Sequence, residues 1–162
     1  MNKKYQKGFT LVELLVVIAI IGILATLLLL QLGTARQRAR DAKRIADVNQ
    51  VRTALELYFD DNAQYPQQAT YAGLSASVVP KYLSLLPVDP LSGSTYGYAF
   101  NGSNKYHLWA ELEQWAQALN SDADINSTAG GWTGQTVNGT VDAKINCTTA
   151  ASDCVYDQGQ AQ

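Results

Sequence analysis

One acid stands alone in the apolar run near the start of this sequence. Glu13 is the only charge among the 22 residues from Phe9 to Leu30. A carboxylate deep in such a run costs roughly 2.5–3.5 kcal/mol on membrane-insertion scales, so it calls for a partner or a task. The plainer reading is that Glu13, near the start of the run, reaches the headgroups. Elsewhere the catalytic residue types are sparse. The single histidine, His107, falls on the polar face of an expected strand and reads as a surface residue, with no nucleophile elbow beside it. No Walker loop or dinucleotide fingerprint appears. Cys147 and Cys154 have no histidine near them and do not form a zinc site. Asp122-x-Asp124-x-Asn126 mimics the opening of a calcium loop. That loop's sixth position wants Gly and has Ser127, and its twelfth wants an acid and has Thr133. No cofactor is expected, with calcium at Asp122, Asp124 and Asn126 as the lesser alternative. Four Asn-x-Ser/Thr triplets, at Asn101, Asn126, Asn138 and Asn146, read as turn chemistry.

The elements behind these residues begin with the apolar run. A helix over residues 9–30 is about 33 Å long, enough to cross a bilayer. Lys3, Lys4 and Lys7 precede it, and no small-residue cleavage site follows Leu30, so a retained membrane helix is expected rather than a secretory signal. Residues 31–62 contain no Pro, and the helix should continue to about Asn62 as an amphipathic segment. Ile45, Val48, Val51, Leu55, Tyr58 and Phe59 form one apolar stripe at helical spacing, to be laid on a sheet of the same chain. Ala35, Ala39, Ala42 and Ala46 form a separate small-residue face, either for neighbouring helices or simply because Ala favours helix.

Gly8-Phe9-Thr10-Leu11-Val12-Glu13, after basic residues and before an apolar run, resembles the processing signal of type IV prepilins and type II secretion pseudopilins. The resemblance implies that prepilin peptidase removes residues 1–8 by cutting between Gly8 and Phe9, then methylates the Phe9 amine. It implies that Glu13 pairs with a neighbouring subunit's terminal amine during assembly. It also implies an assembly ATPase and an inner-membrane platform protein as partners. Many relatives carry Pro where this chain has Leu30, which leaves Gly22 as the one poor helix former in the run. Tyr65-Pro66 and Leu86-Pro87-Val88-Asp89-Pro90 resemble the major pseudopilin and related bacterial pilins.

Charge narrows the partners. The chain carries 12 basic and 14 acidic residues, net −2; without three leader lysines it is 9 against 14, or −5. An acidic outer domain is a poor nucleic-acid binder. Arg36, Arg38, Arg40, Lys43 and Arg44 outnumber the leader lysines, and counted alone would leave the C-terminal part in the cytoplasm. The leader's resemblance and the cysteine pair argue the other way, since close cysteines suit an oxidising compartment. Those cations are then expected on headgroups or against acids of a filament.

The rest, residues 63–162, reads as a globular head. A loop with a short helix near Ser75–Tyr82 precedes a hairpin of Tyr96–Phe100 and Lys105–Glu113 around a turn at Asn101–Asn104. Tyr106, Leu108, Ala110 and Leu112 share its apolar face; His107, Trp109, Glu111 and Glu113 share the other. Thr136–Val141, with Asn138-Gly139 at its centre, reads as a second hairpin. A Cys147–Cys154 disulfide would staple the tail, adding roughly 2–3 kcal/mol. The fold expected is α+β and pilin-like: one long helix on a small antiparallel sheet. The function expected is a structural subunit of a type IV pilus-type filament built of identical copies, not an enzyme. It starts in the inner membrane and ends as a periplasmic or cell-surface fibre. The alternatives are the major pseudopilin of a type II secretion system and a tethered binding module that never polymerises.

Overall fold

The computed structural model describes residues 9–139 and 154–160. The chain divides into two compact units, residues 1–36 and 37–162. Helix α1, Leu11–Asn62, runs unbroken through Gly22. Its start follows from Thr10, whose carbonyl accepts the Leu14 N–H at 3.3 Å, the first bond of the helix. Its end is an αL stop without glycine. Ala63 turns to φ 53° and its N–H returns to the Phe59 carbonyl at 2.7 Å. The acids at this end oppose the helix dipole, and Asp61 is recruited by the loop beyond. It accepts from Lys81 Nζ at 2.7 Å and from the Tyr82 hydroxyl at 2.9 Å. The Lys81 hydrogen bond holds the Asp61 carboxyl below the usual carboxylate range.

In the second unit four antiparallel strands form one sheet in the order β3-β1-β2-β4. They are β1 Gly97–Asn101, β2 Lys105–Glu111, β3 Thr133–Gly134 and β4 Val155–Gln160. The β1–β2 hairpin stands where sequence placed it, turning through Gly102 at φ 65°, a left-handed position that glycine takes without strain. Strand β4 was not legible beforehand; it pairs along all of β2, from Tyr106↔Gln160 to Glu111↔Val155. The expected Ser75–Tyr82 helix is shorter and starts earlier, as a 3-10 turn at Ala72–Leu74 and helix α2 at Ser75–Val78. The expected Thr136–Val141 hairpin falls partly outside the described residues; within them Asn138 forms a bridge with Asn126.

The stripe on α1 is the core, as its spacing predicts: Val48, Val51 and Leu55 are fully buried against Tyr98, Tyr106 and Leu108. The same face continues in charged residues, since Asp41 and Arg44 precede Val48 at three- and four-residue steps and are also buried. One expectation fails. The other face of β2 is not solvent-facing: His107 is 0% and Trp109 8% exposed. The physical reason is a second layer. Val137 and Val155 pack on Trp109, and the segment carrying Ile125 and Ser127 covers His107.

Candidate functional site

Residues 9–29 present fifteen large apolar side chains, Phe9 and fourteen on helix α1, none less than 45% exposed. Burying each is worth roughly 1.5–3 kcal/mol. Together that exceeds the ~5–15 kcal/mol holding a whole domain folded, so this surface needs lipid or protein around it. By length and composition the helix can cross a membrane. At its first turn Thr10 and Glu13 form a reciprocal cap. The Glu13 carboxylate accepts the Thr10 N–H at 2.8 Å and its hydroxyl at 2.7 Å, while the Glu13 N–H donates to Thr10 Oγ1 at 3.2 Å. This is the Ser/Thr-x-x-Glu capping box, which satisfies helix-end donors that lipid would leave orphaned. Sequence reading singled out Glu13 but missed Thr10, although the spacing was there to see. Phe9 is exposed beside this cap. Gly8 lies outside the described residues.

In residues 37–162, three of the basic residues that looked like candidates for headgroups or neighbours, Arg40, Lys43 and Arg44, are taken up within the chain. Arg44, 1% exposed, reaches Asp89 with two nitrogens at 2.7 and 3.0 Å, Asp41 at 2.8 Å and Glu113 at 2.9 Å. Arg40 grips Glu113 with two bonds of 2.6 Å. Asp41 also accepts the backbone N–H groups of Glu113 and Gln114, both at 2.9 Å. Lys43 pairs with Asp47, whose other partner is the Tyr96 hydroxyl at 2.6 Å. Burial works against the Arg44 charge, but the hydrogen bonds to Asp89 and Asp41 outweigh it and raise the guanidinium above its ordinary value. The Arg40 hydrogen bond, against the effect of burial, holds Glu113 below the carboxylate range. This network ties α1, the Leu86–Pro90 segment and the end of β2 together. The Leu-Pro-x-Asp-Pro motif acquires a role: its prolines fix the backbone and Asp89 supplies the carboxylate that Arg44 requires. Arg36 and Arg38 are exposed, and no ion pair to either occurs among the described residues.

The sheet's far side holds a buried Ser-His-Asp set. His107 Nδ1 lies 2.8 Å from Ser127 Oγ and Nε2 lies 2.8 Å from Asp157 Oδ2. All three are at most 1% exposed, so no substrate reaches the hydroxyl. Asp157 also accepts the N–H groups of Ala123, Asp124 and Ile125 at 3.0, 2.8 and 2.7 Å. Ser127 Oγ accepts the Val137 N–H at 2.9 Å. The set is a clamp that fastens segment 123–127 onto β2 and β4. Gly139 packs against it, where a Cβ would collide with Asp157 Oδ2.

The calcium-loop candidates do not converge on a point. Asp122 Oδ2 accepts the Asp157 N–H at 3.2 Å, and Asn126 Oδ1 accepts from Thr128. Asp124 lies exposed at φ 50° with its N–H on Asp157. Donated N–H groups repel a cation from Asp157, and no metal-holding group of three ligands occurs among the described residues. Cys154 is buried at the start of β4; Cys147 lies outside the described residues.

Residues 3–29 match the prokaryotic N-terminal methylation motif. The chain is similar along most of its length to the type II secretion system core protein G of three bacteria. It is 35% identical to that of Pseudomonas aeruginosa over 144 residues, 78% of this chain and 98% of the relative. It is 32% identical to that of Aeromonas hydrophila, covering 82% and 96%. It is 32% identical to that of Klebsiella pneumoniae, covering 79% and 95%. No solved structure matches it. These relatives favour the secretion alternative over the pilus reading, which names only the broader family. They are core proteins of a secretion system, and the chain is not an enzyme. Identity of 32–35% over nearly the whole length of these relatives, together with the methylation motif at residues 3–29, therefore places this chain in the type II secretion system core protein G family.

Proposed function

We propose that the chain is the repeating subunit of a type II secretion pseudopilus, processed and assembled from the inner membrane. Prepilin peptidase cuts between Gly8 and Phe9 and methylates the new amine. An assembly ATPase and a platform protein extract the subunit, and the head stands outside the cytoplasm. A Cys147–Cys154 disulfide closes the tail there. Identical subunits stack head to tail, a heterologous contact that does not close and so propagates as a fibre.

The observation that carries this reading is the Thr10–Glu13 cap at the head of an uncovered apolar helix. Before assembly, Glu13 has two donors from its own chain and can reside in the bilayer. On assembly the Phe9 ammonium of a neighbouring subunit offers a charged donor, which a carboxylate in low dielectric prefers over a neutral hydroxyl. The exchange of partners gives directionality: the acid is satisfied in lipid but better satisfied in the fibre. The test is Glu13→Ala in the full-length chain, with sheared fibres and membrane-bound subunit quantified separately. The expected result is normal cleavage, normal membrane levels and at least a tenfold loss of fibres. Undiminished fibres would refute the role of Glu13. Intact secretion without any fibre would favour a tethered module that never polymerises.

A further inference from the structure

Four Asn-x-Ser/Thr triplets occur in the chain, and the fold treats them differently. Asn101 is in β1, half-buried, with its amide nitrogen donating to the Gly130 carbonyl at 2.7 Å. Asn138 is half-buried in the bridge to Asn126. Asn146 lies outside the described residues. Asn126 is exposed, and its carbonyl oxygen receives both the N–H of Thr128 at 3.0 Å and the Thr128 hydroxyl at 2.6 Å. The side-chain nitrogen makes no hydrogen bond among the described residues. The required hydroxyl residue of the triplet is thus already on the acceptor amide, and two donors on one oxygen acidify the nitrogen's protons. On either side Ile125 and Ser127 are buried, so the backbone is anchored while the Asn126 amide points outward. Asp124, also exposed, puts a carboxylate two residues ahead of the acceptor, a handle for a cationic transferase groove.

We propose that Asn126 is an N-glycan acceptor, taking an oligosaccharide from a polyprenyl-pyrophosphate donor. The bond formed joins Asn126 Nδ2 to the anomeric carbon, and the bond broken is that carbon's link to the pyrophosphate oxygen. Polyprenyl pyrophosphate leaves, one Nδ2 proton passes to a transferase carboxylate or water, and nothing is oxidised or reduced. An asparagine-linked sugar needs a surface site in an exported segment. The inference therefore rests on the export of the head proposed above, but its chemistry is separable from filament assembly.

The test keeps them separate by using purified components. Full-length protein in detergent is incubated with a bacterial oligosaccharyltransferase and a polyprenyl-pyrophosphate heptasaccharide, and intact mass and glycopeptides are read. One added glycan, located at Asn126, is expected. Asn126→Gln and Thr128→Val should each cut the modified fraction at least tenfold, Asp124→Ala severalfold, and Asn101→Gln not at all. Tryptophan emission confirms that each variant is folded. Modification that persists in Asn126→Gln overturns the assignment. So does an unmodified protein in a reaction that glycosylates an added Asp-x-Asn-x-Thr peptide.

Discussion

Replacing Arg44 by Met should cripple the head without touching its apolar core. The methionine matches most of the side chain's length but removes a guanidinium that is 1% exposed and bonded to three carboxylates. Asp89 and Asp41, at 4% and 5% side-chain exposure, are then left buried without their cation. Breaking a buried pair from one side costs about 3–5 kcal/mol, because the abandoned charge cannot regain water. With a urea slope of about 1.5 kcal/mol per molar for a domain of this size, the midpoint should fall by roughly 2–3 M. The assay is favourable, since all three tryptophans, Trp109, Trp115 and Trp132, are in the head. Their emission in full-length detergent-solubilised protein follows head unfolding alone. Adding Asp89→Asn to Arg44→Met removes one stranded charge and should recover part of the loss, a coupling of about 1–3 kcal/mol. A midpoint shift under about 0.5 M, or strict additivity in the double variant, would refute the idea that Arg44 holds these carboxylates in place.

Three further outcomes follow from the same geometry. Asp157→Asn keeps the volume but turns an amide toward N–H donors; the Ala123, Asp124 and Ile125 amides should exchange at least tenfold faster, about 1–3 kcal/mol of local stability, read by hydrogen exchange. Glu113, held below its ordinary range by Arg40, contributes stability above the unfolded carboxyl value near pH 4.3 that is lost as pH falls. The urea midpoint should drop between pH 5 and pH 3, and less steeply in Glu113→Gln. Burial raises the phenols of Tyr65, Tyr71, Tyr96, Tyr98 and Tyr106 above their ordinary value. Folded protein at pH 11 should therefore show at least five of its nine tyrosines un-ionised by absorbance at 295 nm. Stability should fall as pH rises past about 10, where only the unfolded chain ionises freely.

What sequence disclosed, and what it hid, follows from the range of each interaction. The apolar run, the Val48-Val51-Leu55 stripe and the β1–β2 hairpin rest on local periodicity and turn chemistry, and each stands where spacing placed it. The processing motif was legible because it is contiguous. Arg44 was not, because Asp89 and Glu113 lie 45 and 69 residues away; a cation on an apolar stripe was the only local sign. His107 was misplaced for a related reason. Alternation along β2 marks two faces but not what covers the second. The covering segment, rich in Ser, Thr, Asn and Gly, has no periodicity to announce it. The Glu13 cap was legible too, because Thr10 and Glu13 stand at the three-residue spacing of a capping box.

Strand β2 carries incompatible chemistry on its two sides. Tyr106 and Leu108 face the helix, whereas His107 meets Ser127 and Asp157. In a strand with one wet face, a slip of one residue exposes grease and hides polar atoms. Here the same slip would drive an imidazole among valines and leucines and set a leucine against a carboxylate. The misalignment is penalised twice, so β1 and β4 have one way to meet this strand, and the outer surface of the head keeps one shape from copy to copy.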